Sequence, residues 1–377
     1  MTAIDRDRDI VLGYRDLELL HCFKNFPVFM GCTDQPIDQD IVHDMNICIS
    51  QGTGMLQLNP VLPLDVVYQK EHDSGTTGAS WMHHHRSLAE FISRYNPSSV
   101  FEIGGGHGML NAEYCENHGY VMWRILESNP SPVPGCQAEF QKGFFNADTE
   151  IDKDVDMLVH SHCLEHFYQP TEFFDRAAKL KAGTMMCFSV PNLQAHLERC
   201  YTSVLNFEHT YFCTEDIIEY WLAKSGFELV DKYYYRDDHS IFYAARKVDN
   251  IDHTPVTNMY NRNKSMFENY INYHKKLVAD INTITEATDR PVFLFGAHVF
   301  NQFLLNFGLD SSKIECLLDN NARKHDKRLY GTALTVKSPA VLADFENPLV
   351  ILRSGVFNEE IKQGILATHN AQTEFIE

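Results

Sequence analysis

Four groups of residues in this chain have the types and spacing that chemistry requires. The first is Glu102-Ile-Gly-Gly-Gly-His-Gly108. Glycines there let a backbone approach a ligand where a Cβ would clash, and the N–H groups of a following helix can face an anionic or polar group. The second is Glu127, about 20 residues beyond the loop, where a ribose-binding acid belongs in a doubly wound nucleotide site. The third is His160-Ser-His162, at the end of an apolar run. The fourth is Glu208-His209, preceded by Asn206. A histidine is suited to proton transfer near neutral pH, and an asparagine can donate to or accept from a substrate oxygen.

The elements that must position these groups are readable. Ser99-Val-Phe-Glu reads as a buried strand, and Met109 to Glu116 as the start of a helix. His118 to Glu127 reads as a turn and second strand, and Asp154 to His162 as another strand. Strands alternating with helices imply a parallel sheet, and ligands of such sheets sit at the C-terminal edge of the strands. Gly143-Phe-Phe145 follows a further strand. Phe144 is the candidate for an apolar contact with an adenine ring, with core packing the alternative for either Phe. Ser80 to Ile92, including His83-His-His85, reads as a helix leading into the first strand, and Tyr233-Tyr-Tyr235 as strand.

The chain has 377 residues, enough for two or three domains. Lys and Arg number 32 against 51 Asp and Glu, a formal charge of −19. That balance argues against nucleic acid or an anionic membrane as the main partner. No apolar run has the length of a membrane span, and the charged N-terminus lacks the apolar core of a signal peptide. Ten cysteines without paired spacings read as reduced thiols. A cytoplasmic protein acting on a small molecule is expected. The oligomeric state is not readable.

The glycine spacing departs from the dinucleotide fingerprint. With the acid placed before the glycines, Glu-x-Gly-x-Gly-x-Gly resembles the first motif of class I S-adenosylmethionine (SAM) methyltransferases. The resemblance implies that Gly104, Gly106 and Gly108 lie against the methionyl part of SAM. Glu102 would help hold its amino group, and Glu127 and His160 would line the same site. The order of parts is similar to that of the sugar C-methyltransferases acting on nucleotide-linked deoxysugars. Residues 1–75 form a cysteine-bearing substrate-side region, 76–248 the SAM domain, 249–270 a linker, and 271–377 a C-terminal α/β domain. Asn206-Phe-Glu-His-Thr-Tyr-Phe212 resembles the family segment Tyr-x-Glu-His-x-x-Tyr-Phe. Phe295-Gly-Ala-His298 through Leu304-Leu-Asn-Phe-Gly308 resembles its Tyr-Gly-Ala…Leu-Leu-Asn-x-x-Gly signature. The expected fold is therefore a Rossmann-like α/β domain with a small N-terminal region and a second C-terminal α/β domain.

The resemblance places His209, Glu208, Asn206 and His162 at the catalytic centre, with His209 as base. It gives Gly296, Ala297, His298 and Asp319 to the nucleotide end of the substrate. The expected reaction is C-methylation of a nucleotide-linked sugar. O- or N-methylation of a related molecule, a non-catalytic nucleotide-binding protein and a nicotinamide oxidoreductase are the alternatives. Two departures stand out. The family's two Cys-x-x-Cys zinc pairs read here as Cys22-Phe-Lys-Asn25 and Cys48-Ile-Ser-Gln51, so bound zinc is not expected. The family tyrosine is Asn206, which cannot act as a base at neutral pH. His162 and His166 flank Cys163-Leu-Glu165 in a His-x-x-Glu-His pattern that also occurs in zinc sites. With no third ligand apparent, no metal is assigned there, and His162 is the preferred site residue of the two.

Overall fold

The computed structural model describes residues 2–68, 79–145, 149–151, 154–202, 204–252 and 255–377. The inferred boundary near residue 76 lies outside them. Among the described residues there are three sheets of three or more strands, and a two-stranded pairing of Cys32–Thr33 with Arg328–Leu329.

The central sheet has seven strands. In spatial order they are Phe227–Tyr235, Ser240–Lys247, Met185–Pro191, Met157–Ser161, Ser99–Ile103, Met122–Glu127 and Glu139–Lys142. The last five run parallel, and Ser240–Lys247 is antiparallel to both its neighbours. The inner strands Met185–Pro191, Met157–Ser161 and Ser99–Ile103 are largely buried runs, as a sheet covered on both faces requires, while the two edge strands are mostly exposed or half-buried. Val100, Trp123, Met157 and Cys187 face the helix Ala79–Ser93. Phe101, Leu126, Leu158 and Phe188 face the larger core shared with the N-terminal region. Ile103, Glu127, Lys142 and Ser161 thus end at one edge, where the loops of interest begin.

The N-terminal region carries a three-stranded antiparallel sheet: Leu17–Pro27, Val42–Ser50 and Leu56–Leu58. The first strand contains two register shifts and many half-exposed positions, so its sequence lacks the regular alternation that reveals a strand. The sheet supports the segment bearing His209. Leu58 N–H donates to Thr210 O (2.8 Å), and Phe212 N–H to Leu56 O (2.8 Å). Buried Arg6 donates to Thr210 O (2.6 Å), Thr210 Oγ1 (3.0 Å) and Leu58 O (3.0 Å). Desolvation lowers its pKa to about 10. Cys22 and Cys48 lie on neighbouring strands, opposite Asn46 and Leu19. Cys32 contacts Ala297 O of the C-terminal part instead.

The C-terminal sheet is all parallel, in the order Val336–Lys337, Ile314–Leu318, Val292–Phe295, Leu349–Leu352, Glu374–Ile376. A helix of 27 residues, Tyr260–Glu286, precedes it. It begins within the segment expected to be linker. Phe267, Tyr270, Ile271, His274, Val278 and Ile281 form its buried face at helical spacing. Asn263 extends that face toward the N-terminal region by donating to Gly54 O (2.8 Å), a tertiary contact invisible in a polar sequence. Arg328 and Asp40 form a paired ion bridge (2.6 and 2.7 Å) between the C-terminal and N-terminal parts. No helix among the described residues is long and apolar enough to cross a membrane.

Candidate active site

The glycine loop follows strand Ser99–Ile103 and enters helix Met109–His118. Gly104, Gly106 and Gly108 have φ of 69°, 56° and 76°, the left-handed region where only glycine is free of strain. A Cβ on Gly104 would meet Cys163 Sγ at 2.7 Å, and one on Gly108 would meet Cys136 Sγ at 2.4 Å. A Cβ on Gly106 would meet nothing within 4 Å. The loop is therefore packed from below and open above its middle glycine. Gly106 N–H donates to Glu127 Oε2 (2.9 Å), while Ser128 Oγ and Asn129 N–H hold Oε1 (2.9 and 3.0 Å). Glu127 is thus fixed at the rim of the open space.

Glu102 stands elsewhere. It points under the loop, is fully buried, and accepts from Trp123 Nε1 (2.8 Å). Desolvation raises its pKa to about 7. Its side chain supports the loop from within. His160 is also core: it shares the inward parity of Leu158, stacks on Phe188 (4.6 Å) and meets Phe173 edge-on (5.3 Å). Burial lowers its pKa to about 3. Both residues were expected at the cofactor, and these contacts turn their side chains inward. Phe144 is exposed at the sheet edge, whereas Phe145 stacks on Phe167 (5.1 Å).

Beside the loop, the turn after Ser161 builds a carboxyl–imidazole centre. His162 has φ of 48° and starts the turn; Cys163 abuts Gly104; Leu164–His166 form one turn of 3-10 helix. This geometry delivers Glu165 and His166 to His209. The ligand-capable atoms of Glu165, His166 and His209 all lie within 4.8 Å of one another, and the His166 and His209 rings meet edge to face at 4.7 Å. Glu208 Oε2 is 4.0 Å from His166 Nδ1, and Tyr68 Oη is 2.6 Å from the same nitrogen. Desolvation raises Glu208 to about 8 and Glu165 to about 7, and lowers His209 below its ordinary value. Carboxyls held near neutrality beside an imidazole kept uncharged by burial suit proton transfer.

Asn206 and His162 play different parts here from those expected. Asn206 Oδ1 accepts the N–H groups of Glu208 and His209 (both 2.8 Å), so its carbonyl shapes the turn that presents them. His162 directs Nε2 to Ser240 Oγ (2.8 Å) and reaches the centre only through Glu165, 3.4 Å from Nδ1. Its ring joins Trp81, His84 and His239 in an aromatic cluster. Sequence reading preferred His162 over His166; the structure brings His166 and Glu165 to His209, with Tyr68 on His166. The His-x-x-Glu-His spacing was the available signal, but its partner lies 43 residues further on.

In the C-terminal domain, Gly296 (φ 99°) ends strand Val292–Phe295 and His298 precedes helix Val299–Asn306. The four expected substrate residues do come together. Asp319 Oδ2 accepts Ala297 N–H (2.9 Å) and Lys324 Nζ (2.9 Å), and Lys324 also donates to Ala297 O (3.1 Å). The Ala297 N–H is thus satisfied internally, and the half-buried His298 follows it.

Residues 80–232 match the family described as methyltransferase domain, and residues 257–377 match the family described as C-methyltransferase C-terminal domain. The matched methyltransferase domain holds the glycine loop, Glu127, Glu165, His166 and His209. The open glycine loop and fixed Glu127 leave room for the cofactor that the sequence resemblance implies, SAM. Among solved structures, human N-acetylserotonin methyltransferase in complex with SAM is 16% identical, over 45% of this chain and 52% of that one, with a TM-score of 0.37. The mitomycin 7-O-methyltransferase is 16% identical over 45% and 55%, at a TM-score of 0.38. An S-adenosylmethionine-dependent methyltransferase from Mesorhizobium loti is 12% identical over 45% and 98%, at 0.36. The chain spans about half the length of the first two. No curated protein matches the chain.

Proposed function

We propose that the protein methylates a small acceptor on carbon, and that the acceptor is a nucleotide-linked sugar bearing a carbonyl. The observation that carries this reading is the junction of Glu165, His166, Glu208 and His209 beside the glycine loop. Carbon methylation requires a base next to the acceptor carbonyl, and an imidazole whose pKa is lowered by burial, and so is uncharged, meets that need. The C-methyltransferase description of the match over residues 257–377 supports the same reading.

Bound SAM supplies an electrophilic methyl group. Gly106 leaves it room, and Glu127 would hold its ribose hydroxyls. His209, presented by the Asn206 turn, takes the acceptor proton. Glu208, largely protonated at neutral pH, can donate to the acceptor oxygen. Tyr68 fixes the His166 ring through its hydrogen bond. The second α/β domain would hold the nucleotide, with half-buried His298 at its turn.

The test is a screen of keto-sugar nucleotides with isotopically labelled SAM, read by mass spectrometry on the wild type and His209→Asn. Label incorporation by the wild type, lost in His209→Asn while SAM still binds, is the expected result. Incorporation undiminished in His209→Asn removes His209 as base. Binding of SAM without incorporation into any keto sugar overturns the assigned acceptor.

A further inference from the structure

The same centre has the composition of a cation site, an inference that rests on reading it as the acceptor site. We propose that Glu165, His166 and His209 bind a divalent first-row transition cation. Two imidazoles and one carboxylate are the donor set that zinc or ferrous iron takes when three protein ligands leave positions open. Calcium and magnesium select all-oxygen sites instead.

Three independent observations point to an ion. The donor atoms lie within 4.8 Å of one another, the only such group of His, Cys, Asp or Glu among the described residues. Atoms bonded to an ion at about 2.1 Å stand no more than about 4 Å apart, so sub-ångström side-chain shifts close the set. Second, Glu165 is fully buried, and among the described residues neither of its carboxylate oxygens has a hydrogen-bond partner. A buried carboxyl left without a partner is costly; His162 Nδ1 stands 3.4 Å from Oε1, while the other nitrogen of that ring, Nε2, is paired with Ser240 Oγ. Third, the ligand geometry is already braced. Tyr68 Oη lies 2.6 Å from His166 Nδ1, the kind of outer contact that orients metal-bound imidazoles. Asn206 clamps the backbone of His209.

The three ligands come from two segments, so the ion would also tie the turn after Ser161 to the Asn206 turn. Ion and acceptor proton would compete for the His209 imidazole, so His209 acts as base in the ion-free centre.

The experiment uses the full chain, stripped with chelator and titrated calorimetrically with Zn2+, then with Co2+ while visible absorption is recorded. Glu165→Gln, His209→Asn and Cys22→Ala/Cys48→Ala are compared, and SAM affinity is measured on every sample. One Zn2+ per chain, weakened tenfold or more by Glu165→Gln and by His209→Asn but not by the cysteine double variant, is expected. Ligand-field bands of bound Co2+ should disappear in the same two variants. Unchanged SAM binding in them shows that the fold is intact. Zn2+ binding that is absent, or lost only with the cysteines, overturns the cation site while leaving the SAM domain standing. Loss of SAM binding by the wild type would instead strike the methyltransferase reading.

Discussion

Replacing Gly106 by alanine separates the cofactor from the fold. At φ 56° an alanine pays a left-handed penalty of about 1–2 kcal/mol. No packing cost adds to it, because the new Cβ meets nothing within 4 Å. Gly13→Ala is the control: it has φ 77° and equally open space, but lies in an N-terminal turn. Both variants should lose stability to a similar degree in urea. Only Gly106→Ala places a methyl group in the space above the loop, where bound SAM would contact the backbone. Its SAM affinity should fall at least tenfold, about 1.4 kcal/mol, while Gly13→Ala retains wild-type affinity. Gly108→Ala should be destabilised more than either, because its Cβ would lie 2.4 Å from Cys136 Sγ. Isothermal calorimetry with SAM and urea melts decide the matter. Wild-type affinity in a folded Gly106→Ala protein would refute the placement of the cofactor.

Other perturbations test the supports of the site. Asn206→Ala strips the acceptor from two buried N–H groups and should cost about 2 kcal/mol; Asn206→Asp, which keeps an acceptor, should restore most of it in a thermal melt. Asp40→Ala leaves Arg328 without its paired carboxylate and should cost about 3 kcal/mol with SAM affinity unchanged. The raised carboxyl of Glu208 gives a pH signature. Folded, it binds its proton up to about pH 8, whereas unfolded it releases it near 4.5. The unfolded state therefore holds fewer protons between these values, and this group's contribution to stability falls as pH rises. Glu208→Gln should gain stability relative to wild type from pH 5 to pH 8. Parallel Tm–pH curves would refute the assignment. Buried His239 and His162, lowered to about 3, act oppositely. Their contribution is lost as pH falls below 6.5, so wild-type stability should also decline toward pH 4.

The central sheet was legible because each strand–turn–helix step is local. Met122–Glu127 and Met157–Ser161 fall within the expected runs, and Ser99–Ile103 exceeds its expected run by one residue. Glu127 was legible for the same reason, being one strand from the loop. Side-chain direction was not. Glu102 and His160 sit in expected strands, but parity and neighbours turn both into the core. The choice of His166 over His162 depends on one left-handed residue and one 3-10 turn, features with no periodic signature. The N-terminal sheet was hidden by its irregular register, and the start of the long helix by contacts from residue 54. What sequence could not supply was thus the tertiary partner.

The account turns most directly on where the methyl group goes. The decisive measurement is an NMR spectrum of the acceptor after reaction with SAM carrying a 13C methyl. A new methyl bonded to carbon next to the acceptor's carbonyl, and absent with His209→Asn, is the expected result. A methyl bonded to oxygen or nitrogen would contradict the account and return the centre to the simpler chemistry of a positioned base.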